Sequence, residues 1–146
     1  MLYWRKNDIP AYRDATARLC ELHVKAQDPE AAWQDFEEYT NAGGDRLPAE
    51  TWLELCRMAE GRKEYERAVA EYAGLANAYP AERQSILALL AAGRLALKQL
   101  KRPADALGYY RAANASKVPH LDWESNIQAG MKAAEQAEGI PAISSV

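Results

Sequence analysis

The residues able to do chemistry in this chain are few and widely spaced. His23 and His120 could each carry a proton or ligate a metal, but they lie far apart in sequence and neither has a Cys or His at metal-ligand spacing. They read as core or surface histidines. Gly43-Gly44 lacks the Lys-Ser or Lys-Thr that would make a phosphate-cradling loop, and it precedes Pro48 rather than a strand-to-helix turn. It reads as a helix stop. No Gly-x-Ser-x-Gly elbow exists, and Ser85, Ser116 and Ser125 fall in helical or capping contexts. The carboxylates Glu37, Glu38, Glu64, Glu66 and Glu71 sit on amphipathic segments, where charge marks the solvated face. The expectation is a chain that is not an enzyme and implies no cofactor or metal.

Cationic groups are more suggestive. Arg57, Arg94 and Lys98 border a row of apolar residues, Leu53, Leu90 and Ile127, with Leu97 beside it. Such a row suits an extended or helical segment of another protein that carries apolar anchors and an acidic group. Two readings stay open. In one, Leu53, Arg57, Leu90, Arg94, Leu97, Lys98 and Ile127 form a partner-binding surface in which Arg57 and Arg94 have no acidic neighbour in their row except Glu21. In the other, the leucines are core, the arginines are solvated stems, and Glu60 or Glu50 satisfies Arg57.

What positions these residues is a repeat. Leu19-Cys20, Leu55-Cys56, Ala92-Gly93 and Ala129-Gly130 recur at steps of 36, 37 and 37 residues. Ala32, Ala68 and Ala106 follow twelve or thirteen residues after the first three of these anchors, and each precedes an aromatic by four: Phe36, Tyr72 and Tyr110. The pattern predicts helical hairpins with Ala32, Ala68 and Ala106 buried where they close. Seven helices and no strand are expected, at about 11–25, 29–41, 48–61, 64–79, 83–100, 103–116 and 123–136. Asp28-Pro29, Pro48 and Pro103 supply starts, while Gly43-Gly44, Gly61, Pro80 and Pro119 supply stops. The last helix has no downstream partner and is expected to cap the stack, burying Trp123.

Trp52, Leu55, Cys56, Ala68, Tyr72, Ala76 and Pro80 fall at the spacing of the tetratricopeptide repeat, which this stretch closely resembles. The resemblance implies an all-α, right-handed superhelical stack of about 3.5 repeats in a single domain at 11–138. The repeats would span approximately 13–48, 49–82 and 86–122, with the capping helix at 123–136. The first and third units match more loosely: Thr16 replaces the large opening residue, Gly44 replaces the closing proline, and one extra residue lies near Lys101 to Pro103. The implied activity is binding of a peptide or helix in a concave groove lined by the first helix of each repeat. Chaperone-binding members clamp a terminal carboxylate with Lys and Asn in these rows, and Leu53 and Arg57 depart from that pattern.

Composition fits this reading. The chain has 146 residues, 49% hydrophobic and 27% charged, enough for a sizeable core. A net charge of −3 with Lys and Arg interspersed among Asp and Glu argues against nucleic acid as a partner. Cys20 and Cys56 occupy equivalent places in stacked repeats, farther apart than a disulfide spans, and are expected to be reduced and buried in a cytoplasmic protein.

Residues 1–12 form an aromatic and basic lead-in, with Tyr3-Trp4-Arg5-Lys6 at its centre. They read either as the stub after a membrane span in a longer protein or as an amino-terminal cap over the first helix. The segments 3–12 and 119–124 are also similar to the soluble carboxyl-terminal region appended to some bacterial rhomboid-type membrane proteins. That similarity implies a cytoplasmic appendage acting by self-association or by positioning partners, since the rhomboid catalytic serine and histidine are absent. Residues 139–146 are expected to be a disordered tail.

Overall fold

The computed structural model describes residues 9–139. Seven helices occur there, with no strand: α1 (Ile9–Lys25), α2 (Pro29–Asn41), α3 (Ala49–Gly61), α4 (Tyr65–Ala78), α5 (Arg83–Lys98), α6 (Pro103–Ala115) and α7 (Trp123–Glu138). Helix number and order agree with the proline and glycine punctuation, and ends shift by one to two residues. The expectations about Tyr3, Trp4 and the tail beyond Gly139 fall outside the described residues.

By internal contacts the chain forms two compact units, Met1–Met58 and Ala59–Val146, with the boundary inside α3. In the first unit α1 packs on α2. Tyr12, Thr16, Cys20 and Val24 are buried on α1 at steps of four, and Ala32, Trp33 and Tyr39 are buried on α2. Phe36 meets Trp33 edge-on at 5.3 Å and lies 6.4 Å from Trp52. Asp28 caps α2 through its Oδ1, which accepts from the Ala31 N–H at 3.2 Å, and Pro29 occupies the first turn. The segment after α2 is pinned twice. Arg13 Nε donates to the Ala42 carbonyl at 3.1 Å, and the Tyr39 ring lies against the Gly44 backbone while its hydroxyl accepts from the Arg46 N–H.

In the second unit α4 packs on α5, α5 on α6, and α7 on both α6 and α5. Ala68 and Ala106 are fully buried at hairpin closures, as is Ala32 in the first unit. The role of the small anchor residues is visible at Tyr110. A Cβ added to Gly93 on α5 would lie 2.8 Å from the Tyr110 ring, and one added to Gly130 on α7 would lie closer still. The ring of α6 therefore occupies a slot that two bare backbones leave between them.

The three turns that join α1 to α2, α3 to α4 and α5 to α6 share one local geometry. Each places a non-glycine residue in the left-handed region immediately before the helix cap: Gln27 (φ 59°), Lys63 (φ 64°) and Lys101 (φ 56°). In the first two, the next amide reaches back five residues, Asp28 to His23 at 3.0 Å and Glu64 to Ala59 at 2.9 Å. In the third, Arg102 reaches back six to Ala96 at 2.7 Å, which absorbs the extra residue in that repeat.

Trp123 departs from expectation. It is half-buried rather than enclosed, packing beside Ile86, Ala113 and Ile127 with the Arg83 guanidinium 5.2 Å from its ring centre. Ile127, Gly130 and Ala134, one turn apart, carry the buried seam of α7.

Two stability changes are expected. Gly130→Ala should lower stability by about 1–3 kcal/mol, because neither the Tyr110 ring nor the α7 backbone can give way cheaply. Lys63→Gly should raise it by about 0.5–1 kcal/mol, the left-handed cost of about 1–2 kcal/mol less the extra chain entropy of glycine. Chemical denaturation of the two variants against the parent chain checks both signs.

Candidate functional site

The seven residues expected to form a binding row separate into surface and core. Ile127 is fully buried with Ile86 and Ala113, and Leu53 is buried as well, so neither offers apolar surface to a ligand. Helical spacing could not tell them from groove residues, because buried and half-buried rows on one helix share the same period. Leu90 and Leu97 are half-buried on α5, packed against Ala96, Ala106, Leu107, Tyr110 and Ala134. Met131 of α7 packs against the same cluster. Lys98 is exposed at the last position of α5.

The arginines are not unpaired. Arg57 Nη1 donates to Glu54 Oε1 at 2.5 Å within α3, so its partner is neither Glu50 nor Glu60. Arg94 lies 2.8 Å from Glu60 Oε2, joining α5 to the end of α3. The other oxygen of Glu60 accepts from the Tyr72 hydroxyl at 2.9 Å, so one carboxylate ties α3 to α4 and α5. Burial holds the Tyr110 hydroxyl above its ordinary pKa of 10.0, with the nearby Arg94 charge opposing the shift. Glu60 thus links Tyr72 to Arg94, and sequence spacing did not bring them together. Tyr72 stands at the aromatic position of the repeat, but the carboxylate it meets is twelve residues earlier in sequence, across the α3–α4 turn.

Helix α5 thus presents a stripe of Leu90, Arg94 and Leu97 at steps of four and three, with Lys98 one turn beyond Arg94, half apolar and half cationic. The Arg94–Glu60 pair fixes the guanidinium in place, which lowers the entropy lost when a carboxylate or carbonyl group approaches it.

The titratable groups considered for catalysis have structural settings. His23 Nδ1 and Asp35 Oδ2 lie 2.5 Å apart and link α1 to α2. Tyr12 donates to Glu38 between the same helices. The Cys20 thiol is pushed up to about 12, chiefly by burial and then by the Asp35 and Glu21 charges, and lies 3.5 Å from the Ala32 carbonyl. A thiol so raised stays protonated and is a poor nucleophile. Cys56 is equally buried. Among the described residues no group of three or more His, Cys, Asp or Glu side chains is placed to hold a metal ion. No described helix is long and apolar enough to cross a membrane.

His120 bridges the turn before α7. Its Nδ1 lies 2.7 Å from Glu124 Oε1 and its Nε2 lies 3.2 Å from the Ser116 carbonyl. Both partners accept, so the doubly protonated imidazolium is the form that satisfies both contacts. Its pKa is accordingly raised above 6.5, first by the Glu124 hydrogen bond, and that of Glu124 is lowered below 4.5 by the same contact and by Gln128.

Comparison with family models, with curated proteins and with solved structures finds no match.

A pH dependence follows from the His120–Glu124 contact. A raised histidine pKa contributes stability that is complete below 6.5 and lost as pH rises through the raised value. A lowered glutamate pKa contributes stability that is complete above 4.5 and lost as pH falls through the lowered value. The first turn of α7 should therefore be best protected between those two limits. Amide exchange at residues 123–126 should slow between pH 4.5 and 6.5 relative to pH 8, after correction for intrinsic rates, and His120→Gln should remove the difference.

Proposed function

We propose that this chain is a non-catalytic protein-interaction module of the tetratricopeptide type, whose first helices present a surface to a peptide or helical segment of another protein. One observation carries the reading: the same helix–turn–helix unit occurs three times, with the left-handed residue at Gln27, Lys63 and Lys101 and a buried alanine at each closure. A repeat of this kind gains stability from stacking and leaves one face of each first helix available for contact. The right-handed superhelical arrangement belongs to the same proposal.

Within the second unit the surface suited to a partner is the α5 stripe of Leu90, Arg94, Leu97 and Lys98, with Met131 beside it. Half-buried leucines flanked by a fixed guanidinium and an exposed ammonium suit a segment with two apolar anchors about two helical turns apart and an acidic residue next to them. The buried thiols and paired histidines support a binding rather than a catalytic role, since each has a structural partner or setting.

The experiment is selection of binders from a random peptide library, followed by affinity measurement with Leu97→Ala and Lys98→Glu. Selected peptides should carry the apolar pair and an acidic group, and each substitution should weaken binding by about 10-fold, the effect of one well-placed anchor or charge contact. Peptides whose affinity is unchanged by both substitutions would place the binding surface elsewhere and remove the reading of α5.

A further inference from the structure

The outward side of α1 carries an apolar stripe that no described element covers. Ala11, Ala15, Leu19, Leu22 and Ala26, at steps of four, four, three and four, are all exposed, Leu19 at 46% and Leu22 at 56%. One repeat further along, Leu47, Thr51 and Leu55, which correspond to Ala11, Ala15 and Leu19, are buried; one repeat beyond that, Ala88 and Ala92, which correspond to Ala15 and Leu19, are buried too, as is Leu95, which corresponds to Leu22. The stripe is thus the surface by which a first helix of this repeat normally packs, left open on α1. Two leucines one helical turn apart in water, on a face that is interior elsewhere in the same chain, mark an interaction surface.

Beside this stripe runs a second one, Asp14, Arg18, Glu21 and Lys25, at steps of four, three and four. Its charges alternate strictly, and all four residues reach solvent, Glu21 and Lys25 forming an exposed pair 3.3 Å apart. An alternating row reads as its own complement only when reversed. Laid parallel on a copy of itself, it sets like charge on like. Laid antiparallel, it sets Asp14 opposite the partner's Lys25 and Arg18 opposite the partner's Glu21, and a two-fold axis repeats both pairs. In an antiparallel helix pair each flank faces the same flank of the other helix, which is the geometry this row requires.

The charge pairs centre the axis between residues 19 and 20, and the apolar stripe accepts that register. Leu19 then lies beside the axis, next to the partner's Leu19. Leu22 falls between the partner's Ala15 and the partner's Leu19, so a large side chain enters a gap with a small residue on one side. Ala26 falls between the partner's Ala11 and the partner's Ala15, and these short side chains let the two helices stay close at both ends. A head-to-tail contact is disfavoured, because the outward side of α7 exposes Glu124, Gln128 and Lys132, polar groups to which Leu19 and Leu22 offer no hydrogen-bond partner.

We infer that the α1 face is the interface of a two-fold homodimer in which α1 pairs antiparallel with α1 of a second copy, with Leu19 and Leu22 at its centre and Asp14–Lys25 and Arg18–Glu21 pairs along one edge. This surface is separate from the α5 stripe, and its test does not depend on any ligand.

Sedimentation equilibrium of the full chain over about 1 to 500 μM, the range in which weak and standard interfaces differ, measures the self-association. A dimer is expected, and Leu22→Glu should raise its dissociation constant at least about 100-fold by placing a charge in the apolar centre. Two charge variants make the register falsifiable. Arg18→Glu with Lys25→Glu leaves a wholly acidic row, and Asp14→Lys with Glu21→Lys leaves a wholly basic one. Each should be a monomer alone, and an equimolar mixture should form a one-to-one heterodimer. Circular dichroism confirms that all variants keep their helix content. A monomeric parent chain at about 500 μM overturns the proposal, as it would if another part of the chain covers α1. Charge variants that self-associate as well as the parent would overturn the antiparallel register.

Discussion

The second unit depends on one steric constraint: the ring of Tyr110 fits only where α5 and α7 have no side chain. Gly93 and Gly130 are separated by one repeat, and the ring that fills the space they leave comes from the helix between them. Aromatic burial contributes strongly to core energetics, but only at close packing, and a methyl group on either glycine would separate the helices it should join. The recurrence of small residues at Cys20, Cys56, Gly93 and Gly130, each buried, is the sequence record of this constraint. Its first members differ, with Leu19 and Ala129 exposed and Leu55 and Ala92 buried, so the second residue of each anchor is the one that backbone approach requires.

The helix plan was legible because its signals are local. Pro29 and Pro103 in first turns, Asp28 as a cap, and the breaks near Gly43, Pro80 and Pro119 act within a few residues of where they stand. Alanine burial at hairpin closures was legible for a related reason, since spacing within a hairpin fixes which positions face each other. The site was much less so. Leu53 and Ile127 share the period of the expected row yet are interior, and Arg57 and Arg94 found Glu54 and Glu60. Period identifies a helix face without saying how deeply that face is covered, and the partner of a long side chain depends on neighbouring elements. Trp123 shows the same limit: its indole is too large to enclose beneath a single terminal helix, and the Arg83 guanidinium covers part of it.

Several charged groups of this protein connect one helix to another. Glu60 receives Tyr72 and Arg94, Glu66 receives Arg102 at 2.5 Å, and Asp35 and Glu38 receive groups from α1. Pairs as exposed as Arg102–Glu66, which reaches from the cap of α6 to α4, contribute little to stability, about 0–1 kcal/mol each. Glu60 is half-buried and has both oxygens engaged, one by Tyr72 of α4 and the other by Arg94 of α5.

The packing described for these helices has a kinetic counterpart. Among the described residues, the helix pairs that pack most extensively are adjacent in sequence or separated by a single helix, so their contacts close loops of modest length. Entropy lost on closure grows with loop length, and chains dominated by local contacts fold in about microseconds to milliseconds rather than seconds. In the second unit, with its helices packed pairwise, one hairpin can form while its neighbours are still unstructured, and order can then spread from it through that unit. That unit would therefore have more than one starting point for folding, and the slot that receives Tyr110 would close only when the helices on both sides of it have arrived.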